Sequence, residues 1–171
     1  MSDLTIRDAR VDEHEVIREL TVAAYTEYAA AMGDHWDDYR AGLLNRLGGT
    51  VADRIVAARG DALVGSVLLN PAGSSAPAPD GSILHFNEPE FGLLSVPPER
   101  RGQGIARALM TECARRARAA GSDVLALHTM EMMTSAMALY ETLGFARDPE
   151  HDFSPAPNTV VRSYRLDLTG A

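Results

Sequence analysis

Between Leu93 and Met110 the chain reads LLSVPPERRGQGIARALM, and few folds accommodate that order of residues. An apolar run, residues 90 to 96, reads as a strand. Pro97 and Pro98 stop it, because proline cannot donate to a sheet ladder or enter a helix interior. Gly102 and Gly104 lack a Cβ, so the chain can turn tightly there and a ligand can approach the backbone. Ile105, Leu109, Cys113 and Ala117 then recur on one helical face, and the helix runs to about Ala120 with Gly121 as its cap. This layout puts the amides of about residues 102 to 106 at a helix start, without intrahelical acceptors and at the positive end of the dipole. Such a place binds an anion, most naturally a phosphate. Arg100, Arg101 and Arg107 ring it with positive charge.

Three phosphate-binding designs compete for this stretch. A P-loop needs Gly-Lys-Ser/Thr, which does not follow Gly104. A dinucleotide-binding turn needs a third glycine where Arg107 stands, and an acidic residue at the end of the next strand, whereas Asp123 begins that strand. The third design, Arg/Gln-x-x-Gly-x-Gly/Ala, is met by Arg101, Gly104 and Ala106. The flanking strand, Val-x-Pro and long helix strengthen it.

The rest of the chain predicts alternating elements. LTIRDA (4–9) alternates as a strand. Asp12 and Glu15 have the spacing of a capping box for a helix with Val16, Leu20, Ala24 and Tyr28 as its apolar stripe, ending near Gly33. DHWDDYRAGLLNRLG predicts a second helix. RIVAAR (54–59) and ALVGSVLLN (62–70) predict a hairpin around Gly60 and Asp61. Residues 71 to 89 are too rich in Pro, Gly, Ala and Ser for a core segment and predict a long loop, a type that is often functional or mobile. DVLALHT (123–129) predicts a strand, Thr134 to Leu143 a short helix, FARDP a short strand, and TVVRSYRLDL (159–168) the last strand. The order β-α-α-β-β-β-α-β-α-β-β is an α/β arrangement, a mixed sheet with helices on its faces. There is no linker and no internal repeat, so residues 1–171 are expected to form a single domain.

Composition narrows the function. Hydrophobic residues make up 46% and charged residues 23% of the chain, as in ordinary soluble proteins. The net charge of −8 argues against general nucleic-acid binding, which needs a basic face. It is compatible with a cationic substrate, but a plain acidic surface accounts for it more simply. No apolar run reaches the length of a membrane span, and the N-terminus lacks a secretory layout. Cys113 is the one cysteine, which excludes an intrachain disulfide. A cytoplasmic location is expected.

Two segments carry a family resemblance. LLSVPPERRGQGIARALM (93–110) is similar to the coenzyme A pyrophosphate-binding segment of the GNAT superfamily of acyl-CoA-dependent N-acyltransferases. AMALYETLGF (136–145) is similar to that family's Ala-x-x-Leu-Tyr-x-x-x-Gly-Phe segment, and one strand separates the two, as in the family. The resemblance implies a mostly antiparallel central sheet flanked by helices, with two splayed strands holding the coenzyme. It implies that amides of Gly102, Gln103, Gly104, Ile105 and Ala106 bind the pyrophosphate, with the Arg101, Gln103 and Arg107 side chains alongside. Backbone groups of Leu94 and Val96 would bond the pantetheine arm. Ser135 stands where many members carry Asn. Tyr140 would sit near the coenzyme sulfur. Acetyl-CoA is the implied co-substrate, with no metal, and homodimers are common in the family.

The implied chemistry is attack of a neutral amine on a thioester. Tyr140 suits the acid that protonates the leaving thiolate, since a phenol holds its proton at neutral pH; the other reading of Tyr140 is a core aromatic. Glu90 is the candidate base, with Glu88 in reserve, and an exposed strand-end carboxylate is the other reading. By strand alternation Glu90, Gly92, Leu94 and Val96 share a face unless a bulge intervenes. His128, ending a strand beside the coenzyme gap, is a candidate for substrate contact or a core histidine. The five histidines have no metal-ligand spacing. Met130, Met132, Met133 and Met137 would line a pocket or pack the core. Tyr25, Tyr28 and Trp36, with nearby carboxylates, suit an ammonium-bearing acceptor through cation–π contact, and EHDFSPAPN (150–158) would close the opposite side. Cys113 reads as buried, not nucleophilic. The sequence leaves three functions open: an acetyl-CoA-dependent N-acetyltransferase, a silent acyl-CoA-binding module, and an O-acyltransferase. The acceptor cannot be read from it.

Overall fold

The computed structural model describes residues 3–78 and 81–170. Pro79 and Asp80 of the expected long loop, and residues 1, 2 and 171 of the expected domain, lie outside the described residues. Strand β1 (Leu4–Asp8) leads into helix α1 (His14–Tyr25), a short α2 (Ala29–Met32) and α3 (Trp36–Leu47). The hairpin β2 (Asp53–Arg59) and β3 (Ala62–Asn70) follows. Next come two short strands, β4 (Ser75–Pro77) and β5 (Ile83–His85), and then β6 (Glu90–Ser95). Helix α4 (Ile105–Ala119), β7 (Val124–Met130), α5 (Thr134–Thr142), β8 (Ala146–Arg147), β9 (Phe153–Ala156) and β10 (Thr159–Asp167) complete the chain.

The main sheet has the order β1-β2-β3-β6-β7-β10-β8, with β9 paired to β10. Every neighbouring pair is antiparallel except β6 and β7. A larger core on one face holds Ile105, Leu109, Cys113 and Ala117 of α4, the face that the sequence predicts, together with Phe91, Leu125, Tyr140 and Tyr164. Gly65 of β3 lets α4 lie close: a Cβ there would come 2.7 Å from Ile105 Cγ2. A smaller core on the other face joins Ile17, Leu43 and Leu47 of α1 and α3 to Val56, Leu68 and Leu93.

Several expectations are corrected. The apolar stripe of α1 is Ile17, Leu20, Thr21 and Ala24; Val16 is 46% exposed. Four-residue spacing drifts off a 3.6-residue helix within a few turns, so the true stripe mixes steps of three and four. The reciprocal cap belongs to Arg10 and Glu13, with the Arg10 amide donating to Glu13 at 2.7 Å, because a one-turn 3₁₀ segment, Val11–Glu13, precedes α1. The predicted helix to Gly33 breaks after Tyr25 into 3₁₀ and short α turns. The loop of residues 71–89 pairs β4 with β5 and buries Phe86 and Ala78. Residues 153–156, read as loop, pair with β10.

Strand β6 also has a bulge. Leu93 has φ +50°, left-handed backbone that is uncommon for a residue other than glycine. The β3–β6 register shifts there, from Leu68 opposite Gly92 to Ser66 opposite Ser95. Phe91, Leu94 and Val96 therefore contact the α4 core, while Leu93 joins the α1–α3 core. Glu90 and Gly92 do not share a face with Leu94 and Val96 as simple alternation would have it.

Candidate active site

β6 and β7 pair over only Glu90–Ala126 and Phe91–Leu127 and then part. The bulge at Leu93 supplies the divergence, since an extra residue bends the strand. Into the gap opens a cleft of about 2040 Å³. That exceeds the several hundred Å³ usual for one small ligand and suits an extended co-substrate with a second reactant beside it.

One end of the cleft is the glycine turn. Pro98–Arg100 forms a 3₁₀ turn, and Gly102 (φ +72°) and Gly104 (φ +77°) are both left-handed. Gly104 is the N-cap of α4 and offers no side-chain cap, so the first amides of a fifteen-residue helix are left for a ligand. Nothing lies within 4 Å of where a Cβ would stand at Gly102 or Gly104, so the space over the turn is open. Gly102, Gly104, Ile105, Ala106, Arg100 and Arg107 all line the cleft. The Ile105 side chain is 1% exposed in the core, which leaves its main chain to face a ligand. These features fit a diphosphate.

Two cofactor candidates at this turn have other partners. Arg101 lines the cleft but directs its guanidinium to α1. Two bonds of 2.8 and 2.9 Å go to Glu27, one to the Ala24 carbonyl, and Nε donates to the Val96 carbonyl at 3.2 Å. The Gln103 side chain accepts a hydrogen bond from Arg59 and is not part of the cleft wall. Leu94 and Val96 do line the gap. The Leu94 carbonyl accepts from the Tyr25 hydroxyl at 3.4 Å, and each carbonyl keeps a second lone pair. Ser135 lines the cleft near the start of α5.

Tyr140 stands on α5 at the centre, in the cleft wall and 7% exposed. Its ring packs edge-on against Phe91 at 5.8 Å and near Tyr164 at 6.2 Å. Burial, then the neighbouring Tyr25, Tyr28 and Tyr164, push its pKa well above 10. The phenol keeps its proton throughout the physiological range.

In the wall of the same cleft, Glu90 and His128 meet. Glu90 Oε1 lies 2.8 Å from His128 Nδ1, and His128 Nε2 lies 3.2 Å from the His151 carbonyl. An ionised carboxylate and a carbonyl can only accept, so both contacts are satisfied together when His128 is an imidazolium. Burial lowers the His128 pKa, but the hydrogen bond and charge of Glu90 outweigh it, and the net shift is upward from 6.5. Phe153 of β9 packs edge-on against the imidazole at 5.4 Å. The segment 150–158 thus meets the site, with His151, Phe153, Pro155 and Asn158 in the wall. Glu88, the reserve base, is bound to Arg165.

The remaining wall comes from α1 to α3. Tyr25 and Tyr28 line the cleft, with ring centroids 6.2 Å apart; burial raises both phenols to about 12. Trp36 packs on Tyr39 and is not in the wall. Met130, Met132 and Met133 are in it, whereas Met137 packs against the core. Cys113 is buried on α4, and its thiol is pushed up to about 12 by burial, which removes it from nucleophilic chemistry at neutral pH. Arg46, which the sequence did not single out, also lines the cleft. An arginine near a helix end has no distinguishing signal in a single sequence.

A glycine turn at a helix start, two parted central strands, a buried tyrosine and a carboxylate–imidazole pair thus share one cleft. Residues 14–145 match the family model described as acetyltransferase (GNAT) family, and the chain belongs to that family. It is 43% identical over 60 residues to N-acetyltransferase 8B of Homo sapiens, a stretch covering 35% of this chain and 26% of that protein. The match thus spans about a quarter of that relative's length. Among solved structures, an acetyltransferase of the GNAT family from Staphylococcus aureus Mu50 superposes with a TM-score of 0.69 at 17% identity, covering 98% of this chain and all of that one. A GNAT family acetyltransferase from Brucella melitensis in complex with acetyl-CoA gives 0.62 at 21% identity, covering 100% and 91%. These likenesses establish the fold. Among the described residues no helix is long and apolar enough to cross a membrane.

Proposed function

We propose that residues 1–171 act as one domain that transfers an acetyl group from acetyl-CoA to a primary amine by direct attack on the thioester. One observation carries the reading: the anion-binding turn, Tyr140 and the Glu90–His128 pair open into the same cleft. The coenzyme found with a structural relative supports acetyl-CoA as the donor. Bound there, it would supply an electrophilic carbonyl carbon and a thiolate leaving group.

The residues divide the proton work. The open amides at the start of α4, with Arg100 and Arg107, hold the diphosphate, and the β6 backbone at Leu94 and Val96 guides the arm toward Tyr140. Arg101 holds the turn against α1 through Glu27. The acceptor nitrogen forms its bond to the acyl carbon as the carbon–sulfur bond breaks. The Glu90–His128 pair accepts the proton that the nitrogen sheds, and Tyr140 gives its own to the departing sulfur. The carboxylate–imidazolium arrangement is the state after proton acceptance. The state that can accept has His128 neutral.

The test is release of free thiol from acetyl-CoA across a panel of amines and alcohols, alongside calorimetry with coenzyme A. Amine-dependent thiol release supports the reading. Tight coenzyme binding with no release from any acceptor would leave a binding module instead, and preference for alcohols would make the protein an O-acyltransferase.

A further inference from the structure

Arg46 differs from the other cations around the cleft. It comes from the last turn of α3 and reaches the cleft wall. Its Nε is buried without a hydrogen-bond partner, and among the described residues the guanidinium has no ion pair. Of the other arginines in the wall, Arg101 is paired with Glu27, while Arg100 and Arg107 have no ion pair among the described residues but are exposed at the glycine turn. A guanidinium nitrogen removed from water without an acceptor is unfavourable unless a ligand supplies one.

Its position shows where such a ligand would lie. A Cβ at Gly92 would come 2.8 Å from Arg46 Nη2 and 3.5 Å from both Cζ and Nη1. The guanidinium therefore lies over the bare backbone of β6 at Gly92, in space that any other residue would fill. Glu90 is two residues back on the same strand, before the bulge, and the strand rise puts the two positions about 7 Å apart. The charge of Arg46 also reaches the phenols of Tyr25 and Tyr39, where it opposes the upward push of burial. Arg46 thus stands beside the proposed amine position, while Arg100 and Arg107 belong to the glycine turn.

We propose that Arg46 is a carboxylate anchor for the acceptor, so that the substrate carries an acidic group a few bonds from its reactive amine, an amino acid in the simplest case. This rests on the acyltransfer reading of the Glu90–His128 pair. A carboxylate on the guanidinium end of Arg46 makes paired, charge-assisted hydrogen bonds. The amine of the same molecule then lies toward Glu90. Glycine at 92 is what lets the guanidinium reach that place.

The experiment compares amino acids with their matched carboxamides as acceptors for the full chain, by thiol release from acetyl-CoA. The acids are expected to exceed the amides in kcat/KM by about 10- to 100-fold, the range of a charged hydrogen bond. Arg46→Met and Gly92→Ala should each bring that ratio to about one, chiefly through KM of the acids, with coenzyme A affinity by calorimetry unchanged. Gly92→Ala guards against a folding defect, because the three atoms nearest the new methyl all belong to the flexible end of Arg46. Equal use of acids and amides by the unmodified protein, or a preference that survives Arg46→Met, overturns the anchor and leaves the acyltransfer reading standing. Loss of coenzyme affinity in Arg46→Met assigns the residue to the coenzyme and also overturns it. Absence of thiol release with every amine overturns both readings together.

Discussion

The two walls of the cleft are built by different means. The wall proposed to face the coenzyme is mostly main chain: two left-handed glycines, the uncapped start of α4 and the β6 backbone, all within residues 94–107, with the Arg100 and Arg107 side chains beside them. The wall proposed for the acceptor is made of side chains from α1, α3, β6, β7 and β9, which are spread from Tyr25 to Phe153. Main chain offers the same amides whatever side chains surround it, so the first wall suits a co-substrate that does not change. Side chains can be exchanged one at a time, so the second suits an acceptor that differs between relatives. Contacts tie the walls together, Arg101 to Glu27 and the Ala24 carbonyl, and the Tyr25 hydroxyl to the Leu94 carbonyl.

The contrast predicts different failures. The largest effect is expected at the centre, where Tyr140→Phe should lower kcat by about 10²-fold or more with little change in coenzyme affinity. Unchanged turnover would reduce Tyr140 to a core aromatic. Glu90→Gln should cost about 10²-fold in kcat/KM and also alter its pH dependence. In the unmodified protein kcat/KM should rise with pH through a value above 6.5, as His128 loses its second proton; in Glu90→Gln that inflection should move down. The same histidine contributes stability with the opposite sign. Its folded pKa is raised, so its contribution is complete below 6.5 and lost as pH rises through the folded value.

Next in size comes the coenzyme wall. Gly104→Val forces a β-branched residue to φ +77°, at a cost of about 1–2 kcal/mol. Coenzyme affinity by calorimetry should fall about 10-fold. The ties between the walls are weaker. The Arg101 and Glu27 side chains are 42% and 36% exposed, so Glu27→Gln should cost less than about 1 kcal/mol in denaturant unfolding. If the tie positions both walls, KM for coenzyme and for acceptor should rise together by a few-fold. A change in only one of them would show that the walls act independently.

The smallest effect lies away from the cleft. Glu13 is held at about 2, first by its hydrogen bond from Arg7 and then by the Arg10 amide and the charges of both arginines, against burial. Its contribution is therefore present above about 4.5 and lost as pH falls toward 2. The difference in Tm between the unmodified protein and Glu13→Gln should be steady near neutrality and close in acid.

What could be read in advance follows the same division. The α4 face of Ile105, Leu109, Cys113 and Ala117 and the glycine turn were legible because helical period and backbone freedom act between near neighbours in the chain. Leu20 and Ala24 of the α1 stripe are buried as the spacing predicts, but Ile17 takes the place of Val16, because both are apolar and only packing chooses between them. Strand β9 was hidden by Pro155 within it and Pro157 just after it. Arg101 read as a phosphate ligand because its pairing with Glu27 joins residues 74 positions apart.

The sequence by itself determined the order of the longer helices and strands, the turn that can hold an anion and the placing of Tyr140 on the helix after the next strand. Those properties depend on dihedral freedom, periodicity and spacing, which are local. Only the tertiary structure decided that β6 bulges at Leu93, that Glu90 meets His128, and that Arg46 lies unmatched over Gly92. Those pairings depend on which distant side chains the sheet brings within a few ångströms, and a linear string does not carry that distance.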